Sequence, residues 1–140
     1  MMRAPQSQRG FTLVEMMVVM VIIALAATAV VLAMPEANGG VAAEAERFAA
    51  RAKAARDAAI VEARPALLSV DAQGYAFARR RRGAWQPQSR HEWEAGTQAS
   101  GGGARFDTTG LAEPALVVLQ RGGRQAAVDI RGDGTIHVRR

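Results

Sequence analysis

The chain of 140 residues contains no cysteine and only two histidines, His91 and His137. Without cysteine, neither a disulfide framework nor a thiolate metal site can form. The sequence also lacks the G-x-S-x-G and H-E-x-x-H motifs of familiar hydrolases and metalloproteases. We therefore expect no enzymatic activity, no cofactor and no bound metal.

Charged residues are nearly absent from a long segment close to the N-terminus. Residues 11–34 form an apolar run in which Glu15 is the only charged side chain. A helix of this length spans a hydrocarbon core of about 30 Å, so we predict a transmembrane helix over residues 11–34. A carboxylate at the centre of a bilayer costs about 2.5–3.5 kcal/mol, and less near the interface, so such acids are usually functional. Glu15 is therefore a candidate functional residue.

The residues around Glu15 carry a specific resemblance. The segment 9–15 reads RGFTLVE and, with the apolar run that follows, resembles the leader of type IV pilin-like proteins. This resemblance implies that a prepilin peptidase cuts after Gly10 and methylates the new N-terminal residue, Phe11. It also implies that the Glu15 carboxylate pairs with the N-terminal ammonium of a neighbouring subunit, which offsets two buried charges within one assembly.

Two other interpretations compete for the N-terminal segment. Basic residues followed by an apolar stretch and the small residues 27–29 fit a secretory signal peptide, although the stretch is longer than the usual apolar region of roughly 7–15 residues. In a plain signal anchor, Glu15 would merely lie at the membrane interface. Neither accounts for Gly10, Phe11 and Glu15 together, so we favour the pilin-like leader.

Charge around the apolar run predicts the orientation in the membrane. Arg3 and Arg9 precede the run without any acidic residue, which favours a cytoplasmic N-terminus and a C-terminal domain across the membrane. We expect a single-pass inner-membrane protein with a periplasmic domain that enters a fibre after processing. The formal net charge of +5 becomes +3 without residues 1–10, so charge alone does not indicate nucleic-acid binding.

The sequence divides into four segments. We predict a cleaved leader over residues 1–10, the transmembrane helix over 11–34, an amphipathic continuation of the helix over 35–64 and a β domain over 65–140. Pro35 and residues 38–40, Asn-Gly-Gly, predict a kink or break between the two helical sections. Pro65 is expected to end the second one.

Beyond Pro65 the apolar pattern changes to the period of β-strands. Two hairpins are predicted, residues 66–70 with 75–79 and residues 116–120 with 125–130, and a further strand over 135–138. The polar, glycine-containing segment 86–111 is interpreted as a long mobile loop with one strand near 105–107.

A leader, a long N-terminal helix and an antiparallel β domain together resemble the α+β pilin-like fold. The segment 47–65, the tryptophan-containing segment 83–87 and the closing residues 128–136 are similar to the GspH/FimT family of minor pseudopilins and minor pilins. This similarity implies a minor pseudopilin of a type II secretion system, which assembles with other pseudopilins to help export folded proteins. The alternative is a FimT-like minor pilin that binds DNA or aids pilus assembly.

Arginines are the candidate residues for this alternative, namely Arg79, Arg80, Arg81, Arg82, Arg139 and Arg140. A strand would direct Arg79 and Arg81 to one face and Arg80 and Arg82 to the other, which disfavours a continuous phosphate-binding stripe. A solvated turn, or an edge strand protected by charge, is the simpler interpretation, so we do not expect nucleic acid as a partner. Residues 129–134 are similar to a calcium loop, but a plain β-turn is favoured because Arg131 occupies a ligand position.

Overall fold

The computed structural model describes residues 12–33 and 40–140, which fall into two compact units. The first contains helix α1, Leu13–Ala33. Among the described residues, one helix is long and apolar enough to cross a membrane, with a mean hydropathy of 2.6 over Leu13–Val30. The side chains of that stretch are exposed. Pro35, Asn38 and Gly39, where a break is predicted, lie outside the described residues.

Helix α2, Gly40–Val61, begins the second unit and buries a face built mostly of alanine around Phe48. It ends before the predicted limit of residue 64. The Ala63 N–H donates to the Ile60 carbonyl (3.2 Å) and the Arg64 N–H to the Ala59 carbonyl (3.0 Å), while Ala63 adopts a φ of 49°. This left-handed cap ends the helix. Pro65 helps, because a proline disfavours helical geometry in the residue before it.

Eight strands follow α2 and form two four-stranded antiparallel sheets, ordered β3-β2-β1-β5 and β4-β6-β7-β8. The strands are β1 Ala66–Val70, β2 Gly74–Arg81, β3 Ala84–Glu92, β4 Gln98–Gly101, β5 Ala104–Phe106, β6 Ala115–Arg121, β7 Arg124–Ile130 and β8 Ile136–Arg139. The α+β class is confirmed, and so are the predicted hairpins β1–β2 and β6–β7.

The core of the second unit forms where α2 packs on the sheets. Phe48 is fully buried and stacks edge-on to Tyr75, with ring centroids 4.9 Å apart, and lies 5.5 Å from Trp93. Leu68 and Phe106 from one sheet and Val128 from the other are also fully buried. The small alanines of α2 allow the helix to approach both sheets closely, so one core holds the whole unit together.

The interpretation of residues 86–111 as a long loop is wrong. This segment contains most of β3, all of β4 and the predicted short strand, here β5. Most β3 side chains are exposed, so the strand shows no alternation of apolar and polar residues. Because β3 pairs only with β2, it is an edge strand, where Pro87 is tolerated opposite Ala78.

Candidate functional site

The first candidate site is the start of α1. Gly10 and Phe11, the predicted cleavage and methylation positions, lie outside the described residues. The Thr12 hydroxyl oxygen accepts a hydrogen bond from the Glu15 N–H at 3.2 Å, and the Thr12 carbonyl accepts one from the Met16 N–H, also at 3.2 Å. Thr12 is therefore the N-cap of α1, and Glu15 occupies the third helical position.

The Glu15 carboxylate lies near the positive end of the helix dipole, which stabilises it locally. The side chain is exposed, and within residues 12–33 and 40–140 its carboxylate has no hydrogen bond or ion pair. It is therefore available to a group from another molecule. Sequence reasoning missed the role of Thr12, although Thr-x-x-Glu before an apolar run is a recognised capping signal.

The second candidate site is the arginine run at the end of β2. Arg79 forms an ion pair with Glu62, and the Arg80 guanidinium lies over the Trp85 ring, 5.9 Å from its centroid. Arg81 closes the strand opposite Ala84. The predicted alternation of faces therefore applies to residues 79–81.

Arg82 does not continue the strand, and it lies in a turn, one of the two simpler interpretations of the arginine run. With φ values of 51° and 82°, Arg82 and Gly83 form the two-residue turn between β2 and β3. Such turns require positive φ at both positions because they must match the twist of the strands. Arg82 thus projects from the tip of a hairpin.

The terminal arginines are engaged by acids. Arg139 forms an ion pair with Asp129, and Arg140 pairs with Glu46 at 3.2 Å. With the Arg79–Glu62 pair, three of the six predicted nucleic-acid contacts are neutralised by neighbouring carboxylates. The structure does not bring the six arginines together as one phosphate-binding surface.

Sequence reasoning missed a contact between distant residues. The Arg105 guanidinium lies 6.0 Å from the centroid of the Trp85 ring, on which Arg80 also rests. Trp85 and Arg105 belong to β3 and β5, the opposite edge strands of one sheet. No local pattern links residues that are far apart in sequence, so this contact becomes visible only in the fold.

A buried carboxylate connects α2 to the loop between β3 and β4. Glu44 is 5% exposed and accepts hydrogen bonds from the Glu94 N–H (2.6 Å) and the Thr97 hydroxyl (2.7 Å). Arg121 approaches Glu44 at 3.9 Å and bonds Glu94 at 2.6 Å. The hydrogen bond from Arg121, followed by the charge of Arg47, lowers the pKa of Glu94. These groups position the loop between β3 and β4.

The remaining chemistry is sparse. His91 lies beside a cavity of about 230 Å³ between α2 and β3, where burial and then the nearby Arg51 charge lower its pKa. The described residues contain no cluster of three or more histidine and acidic side chains that would suit a metal. In the predicted turn near the C-terminus, the Thr135 N–H and hydroxyl both bond the Asp133 carboxylate, at 2.9 and 2.6 Å. The absence of metal and of enzymatic activity stays a prediction.

The fold and the N-terminal motif are those of pilin-like proteins. Residues 5–31 match the prokaryotic N-terminal methylation motif. The minor pseudopilin EpsH from the type 2 secretion system of Vibrio cholerae has a similar structure, with a TM-score of 0.62 and 16% identity over 68% of this chain and 92% of EpsH. The type IV minor pilin FimU of Pseudomonas aeruginosa is also similar, with a TM-score of 0.57 and 17% identity over 69% of this chain and 85% of FimU. No curated protein matches this chain by sequence.

Proposed function

We propose that this protein is a minor pseudopilin of a type II secretion system. The observation that carries the proposal is the methylation motif, which begins before α1 and covers most of it, with Glu15 in the first turn, on a chain of pilin-like fold. A prepilin peptidase would cut after Gly10, and the mature chain would join other pseudopilins in a fibre that helps export folded proteins across the outer membrane.

Assembly, and not catalysis, is the proposed mechanism. Cleavage creates an ammonium at Phe11, and the exposed Glu15 carboxylate of a neighbouring subunit pairs with it while apolar helices pack around them. Before assembly, α1 anchors the chain in the inner membrane with its C-terminal domain in the periplasm, as Arg3 and Arg9 indicate. The protein has no proposed cofactor.

The secretion branch is preferred to the pilus branch. The similarity to EpsH is consistent with it, and so are the family-like segments of the β domain. The FimT-like alternative with DNA binding is less well supported, because acids pair with Arg79, Arg139 and Arg140.

The variant Gly10→Ala tests the leader. The peptidase is expected to reject alanine at this position. The precursor should therefore accumulate in the membrane with residues 1–10 still attached. Mass spectrometry of the purified protein measures this directly. Normal cleavage and methylation of Gly10→Ala would contradict the assignment.

The variant Glu15→Leu separates processing from assembly. Cleavage should proceed, because it depends on Gly10, but incorporation into the fibre should fail because the Phe11 ammonium has no carboxylate partner. The ratio of processed protein in the membrane fraction to that in the fibre fraction is the measurement. Glu46→Leu, which removes an exposed carboxylate from α2, serves as the control and should assemble. Equal incorporation of both variants would remove the proposed role of Glu15.

A further inference from the structure

We propose that Arg80, Arg82, Trp85 and Arg105, here called the Trp85 surface, form a docking site for the acidic face of another subunit of the fibre. The inference rests on the proposed function and specifies one of its interfaces. It places that interface on the β domain, apart from the pairing of α1 helices.

The Trp85 surface lies on the sheet face that α2 does not cover. Ala66 and Leu68 of β1 are buried beneath α2, so Leu67 points to the opposite face, and Arg105 is paired with it in register. Arg80 and Trp85 are also paired in register. Two guanidiniums from different strands thus converge on one half-buried indole, at 5.9 and 6.0 Å from its centroid.

This surface carries positive charge without internal compensation. In the part of the chain that the structure describes, Arg80, Arg82 and Arg105 form no ion pair with a carboxylate. In the same domain, Arg47, Arg90 and Arg139 each pair with an acid. A partner with carboxylates at matching positions would form ion pairs with these unpaired guanidiniums. Two of them already lie over the Trp85 ring, which holds them in place.

The turn at Arg82 supports a functional role for this surface. The β6–β7 hairpin has the same two-residue turn, with φ values of 56° and 75°, and uses Gly122 and Gly123. At the equivalent first position of the β2–β3 turn the chain has Arg82, whose side chain strains a left-handed backbone. Strain of this kind is typical of residues kept for function.

The chemistry favours a protein partner over nucleic acid. Guanidiniums already lie over the Trp85 ring, so the indole is poorly available for stacking by bases. The positions between Arg105 and Trp85 are Leu67 and Ala78, which are apolar and half-buried. An apolar centre with tryptophan and arginine is typical of the best-packed parts of protein interfaces.

Photo-cross-linking in cells that make the full chain and its fibre tests the proposal. Benzoylphenylalanine replaces Pro87, which is exposed on β3 beside Trp85, or Gln125 on β7 as the control position. We expect position 87 to cross-link a peptide of another fibre subunit that is rich in aspartate or glutamate. The double variant Arg80→Glu/Arg105→Glu should reduce the cross-link about tenfold. Changing the acids of that peptide to arginine should restore it.

A matched variant and a separate measurement make the result decisive. Arg124→Glu reverses another exposed arginine, outside the Trp85 surface, and should leave the cross-link unchanged. Leader cleavage and recovery in the fibre are measured in the same samples, so a failure of the proposed function would appear there. With both normal, a cross-link to nucleic acid, to a non-acidic peptide or to nothing would overturn the inference, and so would a cross-link that persists in the double variant.

The variant Arg82→Gly is a further test, because misfolding could not explain its expected result. It should raise the thermal midpoint of the protein by relieving the turn, while it weakens the cross-link several-fold. A more stable protein with an undiminished cross-link would show that Arg82 takes no part in docking.

Discussion

Glu44 illustrates how a single charged residue is accommodated in the core of this protein. It is buried on α2, yet both carboxylate oxygens have donors, the Glu94 N–H and the Thr97 hydroxyl. Val41, one turn earlier on the buried face of α2, is apolar. The pattern of the helix therefore predicts an apolar side chain at position 44. The charge is tolerated only because the loop after β3 supplies donors, and that loop cannot be located from the sequence.

The variant Glu44→Ala should lower the free energy of unfolding by about 2–4 kcal/mol, because it leaves the Glu94 N–H and the Thr97 hydroxyl without acceptors. Urea unfolding of residues 38–140, the second compact unit, measures the change. Glu46→Ala is the matched control on the same helix. It removes an exposed pair with Arg140 and should cost less than about 1 kcal/mol. Similar losses in both variants would contradict this account of Glu44.

At the start of α1, sequence reasoning and structure address different parts of the site. The motif predicts a processing site and singles out Glu15 because a charge in an apolar run is conspicuous. The structure adds the Thr12 cap, which fixes where the helix begins. The arginines were harder to interpret because their roles depend on partners such as Glu62 and Asp129, which only the fold brings close.

Among the elements, the turn after β7 fits tightly against the end of α2. A Cβ on Gly134 would lie 1.9 Å from the Gly110 carbonyl oxygen and 2.6 Å from the Arg56 Nε. The same Arg56 Nε donates to the Gly110 carbonyl at 3.0 Å. The turns at Gly110 and Gly134 therefore meet through backbone atoms, the Arg56 side chain joins them to the helix, and no space remains for a side chain at Gly134.

The variant Gly134→Ala should destabilise the domain by about 2–5 kcal/mol, because the methyl group clashes with backbone and strains a φ of 79°. Gly123→Ala is the control. Its φ of 75° is similar, but nothing lies within 4 Å of its Cβ position, so it should cost only about 1–2 kcal/mol. Thermal unfolding of the two variants separates the clash from the backbone strain. Equal midpoints would show that the contact with Gly110 does not matter.

The strands show which elements a sequence reveals. The hairpins β1–β2 and β6–β7 were predicted because apolar residues alternate on either side of short turns. Strand β3 was not predicted, because an edge strand with most side chains exposed has no such alternation. Its position is set by pairing with β2, in a register that includes a bulge between Phe77 and Ala78.

At the scale of the molecule, the shifted carboxylates and His91 of the described residues act in the same direction on stability. Hydrogen bonds from Arg90 first, and from backbone N–H groups, lower the pKa of Asp71, and the Thr135 hydroxyl does the same for Asp133. Burial lowers the pKa of His91 below its usual value of 6.5. In each case the unfolded chain binds a proton more readily than the folded one, so acidification favours unfolding.

Stability should therefore fall in two ranges as the pH decreases, first below about 6.5 from His91 and then below about 4 from the carboxylates. The urea midpoint of residues 38–140, measured from pH 8 to pH 3, reports both ranges. The variant His91→Gln should remove the dependence attributed to His91 and retain the acid range. If the slope near pH 6 were unchanged in this variant, another group would have to be responsible.

The two tryptophans of the chain occupy contrasting environments. Trp93 is 8% exposed, lies in the aromatic core and donates to the Asp71 carbonyl at 2.9 Å, whereas Trp85 is half-buried under arginine side chains. A small water-soluble quencher should therefore reach Trp85 well before Trp93. The unlabelled protein therefore carries two fluorescent reporters. Trp85 responds to binding on the outer face of the sheet, and Trp93 changes only when the core unfolds.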